Sequence, residues 1–250
     1  MKVSRVFFLI PVIFVLSSCA ATLEKRKEEA DVHYKMGEVY FTQENYTGAL
    51  EELSKAAAIY PDDPVSQHLL GLTYLAKRMY PEAAEHLGKA VSLNPRDSKA
   101  HVNLGVAYLE LEKWDEAIVH FNEALGDMLY RTPEIARYNL GSAYYHKRDY
   151  EKAVDALKKA VSIDPQYAMA YNILGLSYDK LNMLDEAVEA YRKAVSIEPF
   201  LGDAYYNLGL ALMRKKDRPE AKKAFGKVVE LLPGSDRKAK SAREYIELLK

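Results

Sequence analysis

The sequence predicts an all-α chain, a solenoid of six helix hairpins plus a C-terminal capping helix, and three regularities predict it. Glycines recur at Gly37, Gly71, Gly105, Gly141, Gly175 and Gly209, separated by 34, 34, 36, 34 and 34 residues. Twelve residues past each stands an alanine: Ala49, Ala83, Ala117, Ala153, Ala187 and Ala221. Twelve further on comes Pro61, Pro95, Pro165, Pro199 or Pro233, with Leu129 in the third copy and Pro133 shortly after it. Self-similarity at such a period marks a stack of supersecondary units, each of which buries its apolar face only against its neighbours.

Each repeated position has a physical reason. Leu or Met precedes each glycine, and Tyr usually follows three residues later (Tyr40, Tyr74, Tyr108, Tyr144, Tyr178, then Leu212), which gives the first helix of each hairpin an apolar stripe at helical spacing. The glycine and the first alanine face each other where the two helices approach closely, and a larger side chain there overpacks the contact by about 1–3 kcal/mol. Polar turns such as Gln43-Glu44-Asn45 and Lys147-Arg148-Asp149 join the two helices. After the turn, Tyr46, Tyr80, Trp114, Tyr150 or Leu184 serves as an aromatic or aliphatic lid, and Asp115-Glu116 and Asp185-Glu186 place negative charge in first turns, where it suits the helix dipole. The proline cannot continue the second helix and so separates one hairpin from the next. The last hairpin needs a cap, and residues 236–250 supply one whose apolar face is Ala239, Ala242, Tyr245, Ile246 and Leu249.

These residues together resemble the tetratricopeptide repeat (TPR). The resemblance implies a right-handed superhelical solenoid with hairpins at 30–63, 64–97, 98–133, 134–167, 168–201 and 202–235, a fold that holds other proteins.

The amino-terminal residues are not part of that fold. Lys2 and Arg5 precede an apolar run from Val6 to Leu16, interrupted only by Pro11. The run is shorter than the roughly 20 residues that span a bilayer, but suits an exported signal. Leu16-Ser17-Ser18-Cys19 then resembles the bacterial lipobox, and Cys19 is the only cysteine of the chain. The resemblance implies cleavage after residue 18, a diacylglyceryl thioether and palmitate-type acylation on Cys19, and a lipidated tether over residues 19–29. Several acyl chains, at about 0.8 kcal/mol per buried CH2, make a stable anchor. In the Gram-negative lipoproteins that this segment resembles, an aspartate just after the cysteine favours inner-membrane retention; Ala20 and Ala21 stand there instead, so the resemblance implies a lipid-anchored protein of the outer membrane, facing the periplasm.

Composition excludes several function classes. A net charge of −1 with 28% charged residues leaves no basic domain for nucleic acid. One cysteine removes intramolecular disulfides and cysteine-rich metal sites. No His-Glu-x-x-His stretch, phosphate-binding glycine loop or nucleophile elbow occurs. His33 and His101 share the slot four residues before the glycine, and His86 and His120 share one place on the second helix, so the histidines track the repeat. The expectation is a non-catalytic scaffold with no cofactor, no metal, no small-molecule substrate and a protein partner.

The concave face implied by the fold is lined by first-helix residues two before and one, four and five after the glycine. Those positions are mostly apolar, and the candidate protein-binding groove is Leu69, Leu72, Leu75, Asn103, Val106, Leu109, Tyr138, Asn139 and Tyr145. Asn103, Asn139 and Asn207 have two readings: hydrogen bonding to an extended peptide, or simply the residue usual at that position of the repeat. The set of Lys and Asn by which some such repeats clamp a chain-terminal carboxylate is not present.

The single 36-residue interval carries the last resemblance. Asp127-Met128-Leu129-Tyr130-Arg131-Thr132-Pro133, then Asn139-Leu140-Gly141, after the third of six repeats on a lipobox chain, resembles the type IV pilus biogenesis and stability lipoproteins, as does Leu231-Leu232-Pro233-Gly234-Ser235 before the last helix. That family implies a pilotin: the lipid carries the protein to the outer membrane and the groove binds secretin subunits and promotes their multimerisation. The alternative is an envelope adaptor that recruits cell-wall hydrolases or the β-barrel assembly machinery.

Overall fold

A computed structural model describes residues 9–249, and side chains over 22–249. Residues 1–8 of the expected signal segment lie outside the described residues, as do the side chains of residues 9–21, Cys19 included. Among the described residues every regular element is helical: α1 (Leu9–Thr42), α2 (Tyr46–Ile59), α3 (Pro64–Ala76), α4 (Tyr80–Leu93), α5 (Ser98–Glu110), α6 (Trp114–Gly126), α7 (Pro133–His146), α8 (Tyr150–Ile163), α9 (Ala168–Lys180), α10 (Leu184–Ile197), α11 (Gly202–Arg214), α12 (Arg218–Leu231) and α13 (Arg237–Leu248). No described helix is long and apolar enough to cross a membrane.

The chain forms two compact units, one ending at Leu111 and one beginning at Glu112. In the first, α1 pairs with α2 and α3 with α4, and α5 packs on α4. The glycine slot is as tight as its spacing predicts, but the residue that closes it is not the alanine twelve positions on; it is the larger side chain sixteen on, one helical turn past that alanine. A Cβ on Gly37 would lie 2.6 Å from Leu53 Cγ, and one on Gly71 would lie 2.5 Å from Leu87 Cγ. Leu53 and Leu87 are fully buried, as are Ala49 and Ala83 beside them. Residues 22–29, expected as a tether, are helical and continuous with α1, and their side chains are exposed. Two of them reach the end of α2: Arg26 Nε donates to the Ile59 carbonyl at 2.9 Å, and Lys27 Nζ lies 5.5 Å from the centre of the Tyr60 ring.

In the second unit α7–α8, α9–α10 and α11–α12 are hairpins of the same design, and α6 packs on α7. The side chain that seals the glycine changes from repeat to repeat: Leu157 over Gly141, Tyr191 over Gly175 and Phe225 over Gly209. The cap is as expected. Ala239 and Ala242 of α13 are fully buried, and Tyr245, Ile246 and Leu249 pack on the core that contains Leu208, Leu212, Phe225 and Val228. Asp236 caps α13 through its carboxylate, which accepts from the amides of Lys238 and Ala239.

One backbone feature was not legible in the sequence, and a second was legible only as a change of spacing. Each hairpin turn holds one left-handed residue, seven positions past the glycine: Glu44, Arg78, Glu112, Arg148, Asn182 and Lys216, with φ between 58° and 67°. In the first turn the Asn45 amide donates to the Tyr40 carbonyl at 2.9 Å and the Glu44 amide to the Phe41 carbonyl at 3.0 Å, a Schellman closure that recurs at Arg78, Arg148, Asn182 and Lys216. None of these residues is glycine, so composition gives no sign of the conformation. The second feature is the 36-residue interval, where α6 ends at Gly126 and α7 begins at Pro133. Asp127 turns the intervening loop by accepting from the Leu129 amide at 2.9 Å. Met128 and Leu129 are left 98% and 86% exposed.

Candidate protein-binding surface

Within the first unit, Leu69, Leu72 and Leu75 follow one another along α3 at three-residue steps, and Asn103, Val106 and Leu109 do so along α5, a helix in contact with α3. All six are half-buried rather than open. Leu69 packs on the core of Leu53 and Leu70, and Leu75 on that of Leu87 and Leu104. In the second unit Tyr138, Asn139 and Tyr145 lie along α7, again half-buried. Tyr138 and Tyr145 both lean on the core of Leu157 and Leu174, and the Tyr138 ring is 4.9 Å from that of Tyr167. Burial pushes both hydroxyls of that ring pair up, Tyr167 to about 12. The apolar stripe is therefore divided: part of each side chain packs on the neighbouring helix and part remains accessible.

The structure separates the two readings of the asparagines. Asn103 Nδ2 lies 2.7 Å from His68 Nε2, and Asn207 Nδ2 donates to Asn172 Oδ1 at 3.0 Å. In both cases the residue two before one glycine bonds the residue three before the preceding glycine, so these amides join repeats to one another. The Asn139 side chain forms no hydrogen bond among the described residues. A second set of links between repeats was missed in the sequence. Lys147 pairs with Asp115 and Lys215 with Asp185, a lysine six past one glycine meeting an aspartate ten past the glycine before. Arg214 pairs with Asp179, occupying that polar position of α9, and reaches Asn182 Oδ1 at 2.8 Å. Lysines six past the glycine and aspartates ten past it stand in the sequence, but the match spans 30 or 32 residues and no local pattern announces it.

A cavity of the second unit lies elsewhere. A trough of about 660 Å³ runs between α8 and α10 with Tyr171, Leu174 and Tyr178 of α9 beneath it and Val161 and Ala190 at its sides. None of the groove residues expected from the sequence lines it. No group of His, Cys, Asp and Glu suited to a metal ion occurs among the described residues.

The first unit carries a titration. Burial pulls the His68 and His86 imidazoles below the usual histidine value, although Asp97, at 3.9 Å from His68, and Glu85, near His86, act the other way. Lys99 and Lys89 reinforce the lowering at His68 and His86 respectively. A histidine whose folded-state value is lowered is neutral in the fold, so its contribution is complete above the unfolded value of about 6.5 and falls away below it. Glu52, held below the usual carboxylate value by Lys55 first and His33 second, acts in the same direction at lower pH. Amide-exchange protection in α3 and α4, corrected for intrinsic rates, is expected to fall between pH 7.5 and 5.5. Protection unchanged across that interval would count against the neutral histidines.

Stacked helix hairpins sealed by a glycine contact and closed by an apolar capping helix define the class of helical-repeat scaffolds. Sequence profiles of the tetratricopeptide repeat match residues 30–63, 68–128, 135–167, 175–216 and 202–235, and the chain belongs to the tetratricopeptide-repeat family. No curated protein matches it by sequence. Among solved structures it is similar to PilW, described as a widely conserved type IV pilus biogenesis factor, at 19% identity and a TM-score of 0.77 over 86% of this chain and 98% of that one. It is similar to PilF of Pseudomonas aeruginosa at 20% identity and a TM-score of 0.73, over 88% and 99% of the two chains. MamA is more alike in sequence, at 31% identity, but less so in structure, with a TM-score of 0.58 over 70% of this chain and 98% of MamA. The fold is one typical of non-catalytic protein-interaction scaffolds, and no catalytic family is indicated.

Proposed function

We propose that this protein is a lipid-anchored scaffold of the outer membrane that assists secretin assembly in type IV pilus biogenesis. The observation that carries the reading is the similarity in architecture to two pilus proteins along almost their whole lengths, greater than the similarity to a repeat protein closer in sequence. The resemblance of Leu16-Ser17-Ser18-Cys19 to a lipobox, and the exposed Met128-Leu129 loop where the repeat period lengthens, support it. In this reading the acylated Cys19 delivers the protein and the half-buried leucines of α3 and α5 receive an apolar segment of a secretin subunit. Asn139 of α7 supplies a free amide for backbone hydrogen bonding.

Deleting the protein is expected to reduce heat- and detergent-resistant secretin multimers and to abolish surface pili, with pilin still made. The Cys19→Ala form should lose label from a tagged fatty acid and bind secretin subunits without delivering them. Replacing Leu72 and Leu75 together by Asp should weaken capture while the far-UV spectrum stays helical, because a charge buried in an apolar contact is costly. Normal multimers and pili in the deletion strain would reject the pilus role in favour of the envelope-adaptor alternative. Full capture by the double Asp variant would move the contact off this face.

A further inference from the structure

Two troughs of the second unit lie between neighbouring second helices, and they differ in size and in the state of their charges. The one between α10 and α12, over Tyr205, Leu208 and Leu212 of α11, holds about 210 Å³. Its lysines are satisfied within the chain, Lys223 by Glu220 at 2.6 Å and Lys227 by Glu230 at 2.8 Å. The one between α8 and α10 holds about 660 Å³. Its rim carries Lys158 of α8 and Glu186, Glu189 and Lys193 of α10, all exposed. None of these four side chains has an ion pair or a hydrogen bond among the described residues. Glu189 stands four residues before Lys193, the spacing at which such residues ordinarily pair along a helix, and still the two do not.

The charges of this trough are sorted along its length. α8 and α10 both pack on α9 and occupy the same place in successive repeats, so they run in the same direction. Glu186 and Glu189 lie toward the start of α10, whereas Lys193 lies toward its end and Lys158 toward the end of α8. Two helical turns, roughly 10 Å, separate Glu186 from Lys193. At the acidic end both carboxylates bear on Tyr178 of the floor, whose hydroxyl is pushed up by burial first and then by Glu186 and Glu189. The floor between the two ends is apolar, with Tyr171, Leu174 and Ala190 along it. No asparagine or glutamine lines the trough. An extended segment laid there would bring its backbone N–H and C=O groups to walls that cannot pair them, whereas a helix bonds its own.

We propose that the trough between α8 and α10 receives one amphipathic helix of a partner protein, its acidic end over Lys158 and Lys193 and its basic end over Glu186 and Glu189. The apolar stripe of that helix fills the floor, and its side-chain ridge packs into the groove between two helical walls. A helix is most stable with acidic residues at its start and basic residues at its end, so the occupant runs opposite to α8 and α10. The sorted charges set its direction more than its affinity. A second copy of α10 does not meet these terms, since its outward residues, Asp185, Glu189, Arg192 and Ser196 among them, bring no apolar stripe to the floor. The surface does not depend on the pilus reading.

The test uses the ¹⁵N-labelled full chain and three end-capped helical peptides that share one Leu-Ala stripe. The first carries Glu in its first half and Lys in its second, the second carries Glu throughout, and the third carries Lys throughout. The graded peptide is expected to shift backbone amides of α8, α9 and α10 and to bind more tightly than either peptide of a single sign. Lys158→Glu together with Lys193→Glu changes two exposed side chains and leaves the far-UV spectrum helical. The double variant should bind the graded peptide about tenfold more weakly and prefer the all-Lys peptide. Three peptides of equal affinity, or the same order of affinities in the double variant, would overturn the proposal, as would an absence of shifts in these three helices. Sedimentation velocity of the chain alone should show no association through this face. A dimer dispersed by the double substitution would also overturn the proposal, because a second copy would then fill the trough.

Discussion

Replacing Gly71 by valine is expected to lower stability by about 3 kcal/mol, whereas replacing Gly88 by alanine raises it by about 1 kcal/mol. Both glycines lie inside helices of one hairpin, and a propensity argument alone gives both substitutions the same sign. A Cβ on Gly71 falls 2.5 Å from Leu87 Cγ, 3.0 Å from Leu87 Cδ2 and 3.1 Å from the Leu87 backbone nitrogen. The leucine is fully buried and cannot turn away into solvent, and the backbone contact means that α4 itself has to move. Valine adds two methyl groups to that clash. A Cβ on Gly88 meets nothing within 4 Å, so only the gain in helix propensity remains. Urea midpoints read by far-UV circular dichroism measure both changes. A Gly71→Val chain as stable as the wild type would show that the hairpin contact is looser than described.

Removing residues 237–250 is expected to unravel the last hairpin rather than trim a tail. Phe225 is fully buried, with the Tyr245 ring stacked on it at 4.9 Å and the Tyr206 ring edge-on at 6.0 Å. Truncation removes Tyr245, Ile246 and Leu249 and exposes the core they cover, including Phe225 and Val228, each worth about 1.5–3 kcal/mol when fully buried. It also removes the Lys238 end of an ion pair to Asp203 on α11, a minor loss at an exposed site. Hydrogen-exchange protection in α11 and α12 should collapse while α7 and α8 keep theirs, because in a stacked array stability is transmitted between neighbours. Protection of α12 equal to that in the full chain would mean that α13 is an appendage. Tyr245→Ala offers a milder version, with loss confined to the same two helices.

The sequence by itself determined the number of hairpins, the close approach of two helices at each glycine and the buried face of the cap, though not the side chain that meets the glycine. It could do so because each rests on a pattern written locally: a 3.6-residue stripe, a proline that ends a helix, a small residue where two helices touch, and a period that repeats all of them. Only the tertiary structure decided what the polar residues do. Asn103 bonds His68 and Asn207 bonds Asn172 across 35 residues, so two asparagines that pattern alone allowed as ligand contacts are spent between repeats, while Asn139 is not. The left-handed residue of each turn is Glu, Arg, Lys or Asn rather than Gly, because a Schellman closure imposed by the packed hairpin overrides the local preference of the residue.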